Sequence, residues 1–202
     1  QLSDYRTTAE TLYSGKQHTL LMQGVQTIRS ENQSKGSSVD LDLWILSAGH
    51  GLIRGRDPIV PYQCSFAEMK NDQLRSHADK LRIPERFSEL LSQPMDLTMI
   101  LLGRKYLQAA DLDKHIHIGS PTLFFCARSS QSLVPKSEHV RTVLVGKEEA
   151  KRFRSGLVWI KGELASRLLL LLQNRPSVYD SLFNNDFDIL EALETQGRLE
   201  VL

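Results

Sequence analysis

The sequence predicts an α/β fold: a single domain with a mostly parallel sheet covered by helices on both faces. Three apolar runs, Asp42–Ser47, Leu97–Leu102 and Thr122–Ala127, lack the alternation of apolar and polar residues that a one-sided sheet shows, as in strands buried on both faces. Helical stretches separate them, and strands alternating with helices build parallel, helix-covered sheets. At 202 residues the chain is long enough for one such domain with its own core.

Taken in order, residues 5–29 read as helical. Thr7 or Thr8 is placed to cap the segment, Leu12, Leu20, Met22, Val25 and Ile28 supply its apolar positions, and Ser14-Gly15-Lys16 interrupts it. Residues 30–40 are polar and read as a loop. After the first strand, a helix is expected from Ser65 to about Leu91, divided at Pro84 because proline disrupts a helix interior. A fourth strand is expected at Thr142–Val145, and a helix from about Gly162 to Asn174, stopping before Pro176. The α/β domain is thus expected over residues 1–176. Residues 177–202, with Asp180, Asp186, Asp188, Glu191, Glu194 and Glu200, form an acidic, weakly helical extension.

Composition narrows the function classes. A net charge of +1 gives no global signal for nucleic acid. Cys64 and Cys126 make no CxxC or metal spacing, which fits a reducing compartment. No apolar run approaches the ~20 residues of a membrane helix, and Gln1-Leu2-Ser3-Asp4 has neither the basic nor the apolar region of a signal peptide. The expectation is a cytoplasmic protein without a membrane partner. The missing initiator Met suggests a piece of a longer protein. Walker, GxGxxG, GxSxG and HExxH motifs are absent, which removes most P-loop, dinucleotide, serine-hydrolase and zinc-protease readings. No cofactor is called for.

The chemistry concentrates at the end of the first strand, in Ser47-Ala48-Gly49-His50-Gly51 and the following Asp57 and Pro61-Tyr62. In open α/β sheets ligands bind beyond the carboxyl ends of strands. His50 is either a donor or acceptor for a ligand or a loop histidine bonded to backbone. Asp57, before Pro58 and beside Arg54 and Arg56, is either an ionised group that stabilises developing positive charge or a turn initiator. Arg54 and Arg56 after the first strand, and Arg104, Lys105 and Tyr106 after the second, are the residue types that hold phosphates and stack on bases. His115 and His117, with Asp111 and Asp113 nearby, have a spacing that places both rings on one strand face, but no further ligand cluster supports a metal.

Ile45-Leu46-Ser47-Ala48-Gly49-His50-Gly51-Leu52-Ile53, then Asp57, then Pro61-Tyr62 resembles the ILSxxxGLL…D…PY signature of the YaaA peroxide-stress family and its small relatives. Thr11-Leu12-Tyr13-Ser14-Gly15 resembles the LYTG segment that precedes the signature there, and Leu101 to Tyr106 fits the second strand and its loop. The resemblance spans about residues 9–110, with a weaker echo at Trp159–Leu172. A similar motif occurs in a domain of archaeosine synthase related to uracil-DNA glycosylases. Those relatives carry a further strand before the LYTG segment, and this sequence begins after that point. The resemblance implies DNA contact and carries Ser47, Gly51, Asp57 and Tyr62 over as site residues, whereas His50 has no fixed counterpart in it.

Together these readings lead to an expected enzyme that releases a nucleobase, an N-glycosidase of the DNA-glycosylase type. Asp57 and His50 would be its catalytic groups, stabilising the sugar cation and the departing base. Ser47, Gly51, Arg54, Arg56, Tyr62, Arg104 and Lys105 would bind the DNA or nucleotide. The alternatives are a DNA-binding protein of the stress-response type without chemistry, and a nucleotide sensor using the same pocket.

Overall fold

Strand β1 (Thr7–Thr8) runs directly into helix α1 (Ala9–Leu12), in the stretch where one long helix was expected to begin. The computed structural model describes residues 5–35, 39–112 and 116–199. The chain divides into two compact units: Gln1–Ser14 with Asp42–Thr142, and Gly15–Leu41 with Val143–Leu202. The chain mixes helix and strand, 51% helical and 14% strand.

In the first unit, β2 (Trp44–Ser47) turns back on β3 (Gly51–Arg54) as an antiparallel hairpin, with Ile45 opposite Ile53 and Ser47 opposite Gly51. The run expected as a parallel strand is therefore half of a hairpin. The turn begins so soon after Ser47 that no crossover helix can intervene, and a parallel partner requires one. A short β4 (Pro58–Ile59) pairs antiparallel with β1. Ala9, Ile53 and Ile59 form a small buried core beneath this assembly, with Leu12, Tyr13 and Ile45 packed against it. That core fixes Tyr13 beside the hairpin.

The expected helix from Ser65 breaks into a 3-10 turn at Phe66–Glu68, α3 (Asn71–Lys80) and α4 (Ile83–Leu91). Pro84 lies in the first turn of α4, where its missing N–H costs no helical bond. Strands β5 (Thr98–Ile100) and β6 (Thr122–Cys126) are parallel, and with β7 (Val140–Leu144) they form a sheet in the order β5-β6-β7. Every residue of β6 is buried, as its lack of apolar–polar alternation foretells, and the hydroxyl of the polar Thr122 donates to the Ser120 carbonyl. Gly103-Arg104-Lys105-Tyr106 is not the expected open loop: residues 104–110 form helix α5, whose Leu107, Ala109 and Ala110 are buried. Seven residues are too few for a periodic pattern to stand out in sequence.

In the second unit, α2 (Lys16–Lys35) runs through residues 30–35, where a loop was expected. Its last turns have no apolar periodicity, but Glu31, Gln33 and Lys35 are good helix formers. Its companion is α7 (Ile160–Asn174), whose Gln173 bonds Glu31 at 3.2 Å. A Cβ on Gly162 would lie 2.0 Å from the Gln17 carbonyl oxygen, so the two helix backbones nearly touch there. Helix α6 (Lys147–Arg152) carries Arg152, whose Nε reaches Glu194 of α8 (Ile189–Leu199) at 2.7 Å. The acidic tail is thus partly structured, with Leu182, Ile189 and Leu193 buried. Among the described residues, no helix is long and apolar enough to cross a membrane.

Candidate functional site

Ser47 is the last residue of β2 and is 1% exposed. Its Oγ accepts hydrogen bonds from the backbone N–H of Gly49 (3.2 Å) and of His50 (3.0 Å). Small hydroxyl side chains stabilise turns in this way. With its lone pairs so occupied, the hydroxyl proton is donated to Tyr62 Oη at 2.9 Å. Tyr62 Oη in turn lies 2.8 Å from Tyr13 Oη. A serine and two phenols thus form one hydrogen-bonded chain at the end of the strand.

The turn is shaped around this chain. Gly51 has φ +73, in the left-handed region that favours glycine, and a Cβ there would also sit 3.1 Å from the Leu81 carbonyl oxygen. At Gly49 a Cβ would come within 2.3 Å of the Tyr62 ring, so only glycine lets the ring lie against the backbone. His50 meets Tyr62 edge-on, with ring centroids 4.9 Å apart. His50 Nε2 is 3.1 Å from the Val60 carbonyl oxygen.

Four further residues complete the cluster. His77 of α3 reaches the Ala48 carbonyl oxygen with Nε2 at 2.7 Å and so ties the turn to the helix. Cys64 Sγ lies 3.8 Å from the same nitrogen. A backbone carbonyl only accepts, so His77 Nε2 carries the proton and is no base for the thiol. Phe66 stacks edge-on against Tyr106 of α5, with centroids 5.0 Å apart. Burial holds the Tyr13 phenol well above its ordinary value; the Ser47 hydrogen bond opposes this and Tyr62 adds to it. Burial likewise raises Tyr106, with Tyr62 and Cys64 contributing. Both phenols are therefore neutral hydrogen-bonding groups at physiological pH.

The residues singled out from sequence do not all meet here. Ser47, His50, Gly51 and Tyr62 do. Asp57 lies past the other end of β3, which is three residue steps long, roughly 10 Å at the usual strand rise. Its carboxylate accepts the Arg54 N–H at 2.8 Å, and its own N–H reaches the Arg54 carbonyl, closing the turn. Arg54 stacks over the Trp44 ring, with its guanidinium carbon 5.1 Å from the centroid. Arg54 and Arg56 are exposed at this far end. Lys105 bonds the Met69 carbonyl at 2.9 Å and Asn71 Oδ1 at 3.2 Å, and Arg104 bonds the Ser129 carbonyl. Both cations thus hold the chain's own backbone rather than lining an open groove.

Tyr13 and His77 were not among the expected site residues. Tyr13 belongs to the LYSG segment but carries no chemistry-bearing spacing with the hairpin. His77 had a signal: it lies on the α3 face shared by the buried Leu74 and Ala78. Cys64 and Cys126 are free thiols. The expected His115–His117 pair lies partly outside the described residues, and no group of three or more possible metal ligands occurs among the described ones. The chain matches no protein-family model, and no curated protein or solved structure matches it.

Proposed function

We propose that this protein binds a nucleobase, as the free base or a nucleoside, at the phenol cluster beyond β2. The observation that carries this reading is the Ser47–Tyr62–Tyr13 hydrogen-bonded chain with His50 edge-on to Tyr62. A planar heterocycle needs aromatic faces for its rings and a few fixed polar atoms for its edges, and this half-buried cluster offers both. The employment of Arg104 and Lys105 on backbone carbonyls favours a small ligand, as in a nucleotide sensor, over a long nucleic-acid polymer.

Base release from DNA or a nucleotide is the second reading. It is favoured by the presence of His50 in the same cluster, where an imidazole would act on a departing base. Asp57 would serve it only on leaving both the Arg54 N–H and the far end of β3.

Calorimetric titration with a panel of nucleosides tests the first reading. Base–aromatic stacking contributes ~1–3 kcal/mol, so Tyr62→Ala should weaken binding by roughly tenfold or more. Tyr62→Phe keeps the ring and should lose only a few fold, about one neutral hydrogen bond. A folded Tyr62→Ala variant that binds like the wild type sinks the reading. Release of free base by the wild type, abolished in His50→Ala, would establish the second.

A further inference from the structure

The tautomer of His50 is fixed by its surroundings, and this deepens the nucleobase reading, on which it rests. A backbone carbonyl oxygen has lone pairs and no proton, so the 3.1 Å contact with the Val60 carbonyl requires the hydrogen on Nε2. A neutral imidazole has one N–H and one lone pair, and the lone pair is therefore on Nδ1. Among the described residues nothing bonds to Nδ1, and the ring is half-buried beside Tyr62. Two acceptors of the neighbouring turn are already engaged: Ser47 Oγ takes two backbone N–H groups and the Ala48 carbonyl takes His77.

We infer that His50 is the specificity-determining acceptor of the site: its Nδ1 takes an N–H in the plane of a neutral heterocycle. The ligand class is a base whose ring nitrogen carries a hydrogen, such as a lactam or an imide. Bases whose ring nitrogens are all acceptors meet a lone pair there and are disfavoured, since two lone pairs facing each other leave both unsatisfied.

The experiment measures binding of inosine and N1-methylinosine, and of uridine and N3-methyluridine, by calorimetric titration. Methylation replaces the ring N–H and leaves the ring otherwise intact. The wild type should bind each parent nucleoside at least tenfold more tightly than its methylated form. His50→Gln offers a donor for the Val60 carbonyl and an acceptor for the ligand, and should keep the preference. His50→Leu has neither and should lose it. Equal binding of parent and methylated forms by the wild type overturns the inference while leaving nucleobase binding intact. A folded His50→Leu variant with the wild-type preference overturns the role of His50. Absence of binding to all four nucleosides overturns both this inference and the reading beneath it.

Discussion

The two ends of the β2–β3 hairpin carry similar residues and use them differently. At the Ser47 end, the polar contacts join segments far apart in sequence: Tyr13 with Tyr62 across 49 positions, and His77 with Ala48 across 29. At the Asp57 end, the carboxylate bonds an N–H three positions away, and Arg54 lies over Trp44 on the facing strand. Local contacts of the second kind are ordinary turn and strand chemistry, formed with little loss of chain entropy. Long-range polar contacts demand that several elements be positioned first. A cluster of them, half-exposed, is where a ligand has groups to meet. The difference separates a hairpin end held by local contacts from one where distant segments meet.

The largest effect on this contrast should come from Gly49→Val. The new side chain would overlap the Tyr62 ring, and overpacking of this kind costs about 1–3 kcal/mol. Urea denaturation should show a loss near the top of that range, and nucleoside binding should vanish with it. A variant as stable as the wild type would mean that the turn does not set the position of Tyr62.

His77→Ala should come next. It leaves the Ala48 carbonyl without its partner from α3, and an unsatisfied buried acceptor costs about 1–3 kcal/mol. Hydrogen exchange at the Gly49 and His50 amides should accelerate, because the turn loses its tie to the helix. Unchanged exchange there would show that Ser47 alone holds the turn.

Asp57→Ala removes the acceptor of one backbone N–H and should cost about 1 kcal/mol, read from the denaturation midpoint. Nucleoside affinity should stay within twofold of the wild type. A large drop in affinity would break the contrast by showing that the far end reaches the ligand. Arg54→Ala should be the mildest change, about 0.5 kcal/mol for an exposed cation on an aromatic face, again with affinity unchanged.

Much of this was legible in the sequence. The near-continuous apolar run Thr122–Ala127 read as a strand covered on both faces, and Pro84 as the point that splits a helix or starts a second piece. The glycines around His50 marked the end of the first strand, and Ser47, His50, Asp57 and Tyr62 stood out as the polar groups beyond it. Less visible were the short α5, the extension of α2 past residue 30, and the antiparallel partner of β2. Helix α5 has too few residues for a period, and the last turns of α2 have no apolar periodicity. The hairpin was hidden because a buried strand reads the same in either direction.

The sequence by itself therefore determined the kinds of element, the turn at residues 48–51 and the residue types available to a site there. These depend on local sterics, periodicity and side-chain chemistry, all properties of a short window. The tertiary structure decided which of those residues meet. It brought Tyr13 and His77 to the turn and left Asp57 at the far end of the strand. It turned Arg104 and Lys105 onto backbone carbonyls and fixed the His50 proton on Nε2 by setting Val60 opposite. Each outcome rests on a partner supplied by a distant segment or a neighbouring strand, and no local pattern specifies which groups will lie within hydrogen-bonding distance after folding.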